Sequence, residues 1–84
     1  MRIDSQRDAL IVVDLQPDFM PGGSLAVAEG DRIAPPIARL AGKFATVVAT
    51  QDWHPPGHVS FGVWPEHCVQ GSPGDVSITW LYGL

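Results

Sequence analysis

Asp52, His54, His58 and His67 fall within one sixteen-residue stretch, and these three histidines are all that the chain has. Imidazole and carboxylate suit zinc, manganese, iron and related divalent ions, so the first chemistry these residue types suggest is a metal site. In an extended segment side chains alternate between faces, which turns Asp52 and His54 the same way and Trp53 the other. The Pro55-Pro56-Gly57 corner then turns the chain back, and Trp64-Pro65 restricts the approach of His67. Three protein ligands with room for water or substrate is the catalytic pattern, whereas a closed shell of four is the structural one. The same residues also read as surface groups of a polar loop, and spacing alone leaves both readings open.

The elements that must position this stretch are legible on either side of it. Residues 9–15 (ALIVVDL) form a nearly continuous apolar run, which suits a strand covered on both faces in a parallel α/β sheet. Asp14 stands near the end of that run. Ligands gather beyond the carboxyl ends of strands in open α/β sheets, so an acid there faces the functional edge unless it serves only as a turn or cap. Gln16-Pro17-Asp18 and Pro21-Gly22-Gly23 read as an extended loop, in which Phe19 and Met20 either line a pocket or anchor the loop. Gly30-Asp31 offers a helix start, Ile33, Ile37, Leu40 and Ala41 follow at helical spacing, and Gly42 is the stop. Pro35 and Pro36 are tolerated only in a first turn, so the helix is short. Residues 44–50 (FATVVAT) read as a second buried strand that runs directly into Gln51 and Asp52. Strand, loop, helix and strand make a βαβ unit, which places Asp14 and Asp52 on the same edge of the sheet.

Composition narrows the function classes. The chain has 84 residues, 45% hydrophobic content and a formal charge of −4. Its basic residues, Arg2, Arg7, Arg32, Arg39 and Lys43, are scattered, so it lacks the electrostatic footprint of a nucleic-acid or anionic-membrane binder. Residues 1–8 are polar and the first apolar run is too short to span a bilayer, which argues against a signal peptide or membrane partner. The single cysteine, Cys68, excludes an internal disulfide framework and suits a reducing compartment, so a cytoplasmic location is expected. So small a parallel unit needs a staple, which leaves a metal or a homo-oligomer built on its strand edges as the expected sources of stability.

Three segments then carry a resemblance. ALIVVDLQPDFMPGGSLAV (residues 9–27), VVATQDWHPPGHVSF (residues 47–61) and WPEHCVQGSPG (residues 64–74) are similar, in the same order, to the N-terminal part of the nicotinamidases in the isochorismatase-like cysteine hydrolase superfamily. The resemblance implies a partial βαβ unit of a three-layer α/β/α fold. It implies Asp52, His54 and His67 as ligands of a divalent ion, zinc first with iron or manganese as alternatives, and Asp14 as the base for a cysteine nucleophile. Phe19 and Trp64 match aromatic residues around the substrate ring, while His58 sits near a position that is a further ligand in some members. The implied reaction is hydrolysis of nicotinamide to nicotinate and ammonia, within NAD salvage.

The departures from that pattern set further expectations. The family's catalytic lysine and nucleophilic cysteine lie downstream of the last motif, and neither is present. Lys43 falls between the helix and the second strand, at the wrong edge of the sheet. Cys68 matches the cysteine beside the last ligand, which is not the nucleophile, and reads as a small packing residue. Residues 1–74 are therefore expected to be the N-terminal part of a nicotinamidase-like hydrolase domain. Residues 75–84, with the apolar Ile78, Trp80, Leu81, Tyr82 and Leu84, are expected to be a divergent tail of truncated or frameshifted origin. The function expected by lineage is a metal-dependent amidohydrolase, inactive as this short chain. The alternatives are another amide hydrolase of the superfamily and a non-catalytic metal-binding or interaction fragment.

Overall fold

The computed structural model describes residues 2–77, so the tail residues Ile78, Trp80, Leu81, Tyr82 and Leu84 lie outside the described residues. The described part is a small α/β unit. Strand β1 (Ala9–Val12) pairs in parallel with β2 (Thr46–Ala49), Ala9 opposite Thr46 and Val12 opposite Ala49. Between them a 3-10 turn (Gly30–Ile33) leads into helix α1 (Ala34–Ala41), with Pro35 and Pro36 in its first turn. Gly42 follows the helix with φ −66, so it stops α1 without the left-handed conformation common at helix ends. Among the described residues no helix is long and apolar enough to cross a membrane.

Both strands are shorter than their apolar runs suggest. β1 ends at Val12 because two residues later the chain turns through Asp14, whose φ of +53 is incompatible with a continuing strand. The Val12 carbonyl still accepts the amide of Thr50, so the two strands leave the sheet together. β2 begins only at Thr46, since the amide of Ala45 is taken by the Ser5 carbonyl.

The run of residues 9–15 has the composition of a strand covered on both faces, but one short helix covers only one. Val12, Leu15 and Ala34 form the core, and Leu10, Met20, Ile37 and Val47 pack partly buried around it. On the opposite face Ile11 is 62% exposed and Val13 67% exposed. The physical reason is that α1 is the only α-helix among the described residues and lies over one face, so alternate strand residues have no layer above them.

Beyond the sheet's carboxyl edge the fold is built from tight turns. A 3-10 turn (Pro17–Phe19) follows β1, with proline at its first position, and another (Val59–Gly62) follows the Pro55-Pro56-Gly57 corner. The corner closes through the His58 amide on the Pro55 carbonyl, with Gly57 supplying the φ of +72 it requires. His54 and Val69 then form an isolated parallel bridge, in which the His54 amide donates to the Cys68 carbonyl and the Gln70 amide to the His54 carbonyl. That bridge brings residues 54 and 67, thirteen positions apart, side by side.

Candidate functional site

Asp52 leaves the end of β2 on an extended segment, and His54 follows two residues later on the same side. Its Nε2 stands 2.9 Å from Asp52 Oδ1, while His67 Nε2 approaches Asp52 Oδ2 at 3.3 Å from across the bridge. One ligating atom from each of the three residues falls within 4.8 Å of the others. Donors held at about 2 Å from a tetrahedral zinc ion lie roughly 3.3 Å apart, so this spacing suits one small divalent cation.

The protonation pattern supports the same fit. His67 Nδ1 lies 2.6 Å from the Pro65 carbonyl, an oxygen that can only accept, so Nδ1 carries the hydrogen. In the neutral ring Nε2 is then a lone pair aimed at a carboxylate oxygen. Nε2 and a carboxylate oxygen thus face each other, an arrangement that a cation or a shared proton satisfies.

Aromatic rings enclose the set. Phe61 stands edge-on to His54 at 5.5 Å and to His67 at 5.7 Å between ring centroids, and Phe19 approaches His67 at 5.8 Å. His58 stacks on His54 with centroids 4.5 Å apart, but its Nδ1 accepts the Ser60 amide and lies 2.7 Å from the Ser60 hydroxyl. That nitrogen caps the turn at Val59–Gly62, and His58 stands outside the three-residue ligand set.

Asp14 occupies the other side of the same edge. Its left-handed backbone turns its carboxylate back to β2, where Oδ1 accepts the Thr50 hydroxyl at 2.8 Å and its own amide donates to Thr50 Oγ1 at 3.1 Å. It borders a cavity of about 420 Å³ with Phe19, Met20, Val27 and Ile33. Phe19 thus joins the cavity to the histidine cluster. Trp64, by contrast, is 56% exposed, and its backbone amide closes a turn on the Ser60 carbonyl. Lys43 lies in the turn before β2, at the opposite end of the strands from Asp14.

Cys68 is fully buried, and its thiol donates to the Gly74 carbonyl at 3.9 Å. Burial first, then the carboxylates of Asp52, Asp18, Asp14 and Asp75, push the thiol up to about 12. It stays protonated at neutral pH, the opposite of what a nucleophile requires. The same four carboxylates give the edge a strongly negative field, which favours a cation at the imidazole cluster.

Several residues at this site escaped the reading of the sequence. Thr50 tethers Asp14, Phe61 roofs the imidazoles, and Gln16, Asp18 and Asp75 hold the backbone beneath them. Gln16 and Asp18 had a signal, being polar residues just beyond a strand's carboxyl end. Asp75, 5% exposed, takes the Trp53 indole N–H at 3.1 Å and the Gly71 amide at 2.8 Å on its carboxylate, and nothing in its sequence context marks it.

No protein-family model matches the chain. It is 46% identical over 84 residues to a nicotinamidase of Acinetobacter baylyi, an alignment that takes in 76% of this chain and 39% of that protein. Among solved structures it is similar to the pyrazinamidase of Pyrococcus horikoshii in complex with zinc, with a TM-score of 0.80, 49% identity, and coverage of 89% of this chain and 45% of that one. It is also similar to the yeast nicotinamidase bound to the inhibitor nicotinaldehyde, with a TM-score of 0.81, 30% identity, and coverage of 89% and 50%. The chain spans half or less of the length of each. Over the part that it spans, the chain is similar in sequence and in fold to nicotinamidases and pyrazinamidases.

Proposed function

We propose that the chain carries the metal-binding part of a nicotinamidase, an amidohydrolase that converts nicotinamide and water to nicotinate and ammonia in NAD salvage. The observation that carries this reading is the convergence of Asp52, His54 and His67 within 4.8 Å, in a chain similar to a pyrazinamidase that binds zinc. In this reading those three residues hold one divalent ion, zinc first, with iron or manganese as alternatives. When bound, the ion supplies a Lewis-acid contact for the pyridine nitrogen of the substrate.

The chain's own groups do the remaining work in this reading. In this reading Phe19, which lines the cavity and approaches His67, packs against the pyridine ring, and the exposed Trp64 is the second aromatic residue assigned to that ring. Asp14, which is held by Thr50 and borders the cavity, in this reading takes a proton from a nucleophile entering it. The nucleophile is a cysteine other than Cys68, which is buried and protonated, and the 84 residues contain no second one. We therefore expect the 84-residue chain by itself to bind metal and release no ammonia. A cytoplasmic location accords with the single cysteine.

The test pairs binding with turnover. The chain loaded with cobalt, as a spectroscopic substitute for zinc, is titrated with nicotinamide and with benzamide, which lacks the ring nitrogen. Nicotinamide alone should perturb the cobalt absorption; equal effects, or none from nicotinamide, contradict the substrate assignment. Ammonia release is followed beside a Cys68→Ala control. Turnover that disappears in that control would overturn the place given to Cys68.

A further inference from the structure

The Gln16-Pro17-Asp18 turn carries two polar side chains whose hydrogen bonds reach the segments that hold the imidazole cluster. Gln16 is fully buried. Its Oε1 accepts the Asp52 amide at 2.8 Å, and its Nε2 donates to the Asp52 carbonyl at 2.8 Å and to the Asp75 carbonyl at 2.6 Å. One side chain thus pairs with both backbone groups of the first ligand, as a neighbouring strand would. Asp18, two residues on, accepts the Cys68 amide on Oδ2 at 2.7 Å. Cys68 directly follows His67 and has a φ of +49, a conformation costly for a non-glycine residue and maintained only where the surroundings impose it. The Cys68 carbonyl accepts the His54 amide, so the bond from Asp18 reaches the second and third ligands together.

Neither side chain belongs to the three-residue ligand set. Each fixes one arm of it: Gln16 the arm that carries Asp52, Asp18 the bridge that carries His54 and His67. Pro17 locks the turn between them, so the two anchors have a fixed separation. We infer that Gln16 and Asp18 are positioning residues that preset the Asp52, His54 and His67 donors for a divalent cation, an inference that rests on the metal reading above. The physical basis is preorganisation. A donor set assembled before the ion arrives does not spend binding free energy on ordering a loop, and partners of this kind typically contribute about 10- to 100-fold to metal affinity.

The test measures zinc affinity of the 84-residue chain by competition with a chromogenic chelator, together with the absorption spectrum of the cobalt form. Gln16→Met keeps the side chain's length while removing its three hydrogen bonds, and Asp18→Ala removes the acceptor for Cys68. Both should weaken zinc binding by about 10- to 100-fold and alter the cobalt bands. Asp18→Asn retains an acceptor oxygen and should restore affinity to within about fivefold of the parent and recover the parent spectrum. Ile37→Ala, on α1 and away from the cluster, supplies a variant destabilised without touching the turn. Parent-like affinity and spectra in Gln16→Met and Asp18→Ala would overturn the inference while leaving the metal site standing. A loss in Ile37→Ala equal to that in Asp18→Ala, at the same loss of melting temperature, would also overturn it, since the effect would then be unfolding. Equal zinc binding by the parent and His54→Ala would instead remove the metal reading itself.

Discussion

Replacing Gly74 by alanine introduces a single methyl group at a buried position where it meets the carboxylate of Asp18. A Cβ built on Gly74 lies well inside 3.0 Å of Asp18 Cγ, Oδ1 and Oδ2, a separation that real Cβ atoms essentially never show. The carboxylate must swing away, and doing so breaks its 2.7 Å bond to the Cys68 amide. Loss of a charge-assisted hydrogen bond costs about 1.5–3 kcal/mol. Overpacking adds roughly 1–3 kcal/mol. A chain of this size has a total stability on the order of 4–12 kcal/mol, so the single methyl removes a large share of it. The assay is thermal unfolding followed by circular dichroism, with and without zinc, as a cycle of Gly74→Ala, Asp18→Ala and the double variant. Because both single changes break the same bond, the double variant should melt close to Asp18→Ala alone, a strong departure from additivity. Gly23→Ala is the contrast. Its methyl would collide with the backbone oxygens of Pro17 and Asp18, which cannot swing aside, so Asp18→Ala should not relieve it. Gly74→Ala with parent-like melting, or strict additivity in the cycle, would refute the reasoning.

Thr50→Val removes the hydroxyl that tethers Asp14, and should cost about 0.5–1.5 kcal/mol in denaturant unfolding while leaving zinc affinity unchanged. Leu15→Ala empties a core position that is 1% exposed, and its cost of about 2–5 kcal/mol should lower the melting temperature by an amount comparable to that of Gly74→Ala. Cys68 should resist iodoacetamide at pH 8 in the folded chain and react roughly a thousandfold faster in guanidinium, where its thiol returns toward its ordinary range. The sign of the linked stability follows: the fold holds that proton more tightly than the unfolded chain does. The contribution is complete below about pH 9.0 and is lost as pH climbs from there toward about 12, which alkaline melting curves would record.

How far the sequence revealed this arrangement differs from one feature to the next. The βαβ order was legible because apolar runs and proline placement are local signals: Pro35 and Pro36 confine the start of α1, and TVVA has few alternatives to a strand. The alternation of Asp52, Trp53 and His54 likewise depends only on extended backbone, and it places the two ligand candidates on one side. The end of β1 was not legible. VVDL continues the apolar run, but the turn at Asp14 is stabilised by Thr50, thirty-six residues away, and no local pattern encodes that pairing. The open face of the sheet follows from a related limit, since one short helix cannot cover both faces. Ile11 and Val13 have the composition of buried strand residues, and what covers a strand is decided by other elements rather than by its own residues. The supporting hydrogen bonds were hidden most completely. Gln16, Asp18 and Asp75 look like ordinary loop residues in the chain, and their importance comes only from which backbone groups they reach.

Zinc titration of the 84-residue chain, followed by calorimetry with parallel circular dichroism, tests the central claim most directly. The account predicts one equivalent bound by the parent, loss of binding in His54→Ala and in His67→Ala, and binding retained in Asp14→Asn. Undiminished binding in both histidine variants would contradict the site. Equal loss in all three variants would show that the effect is unfolding, and the claim that Asp52, His54 and His67 form a discrete metal centre would fail.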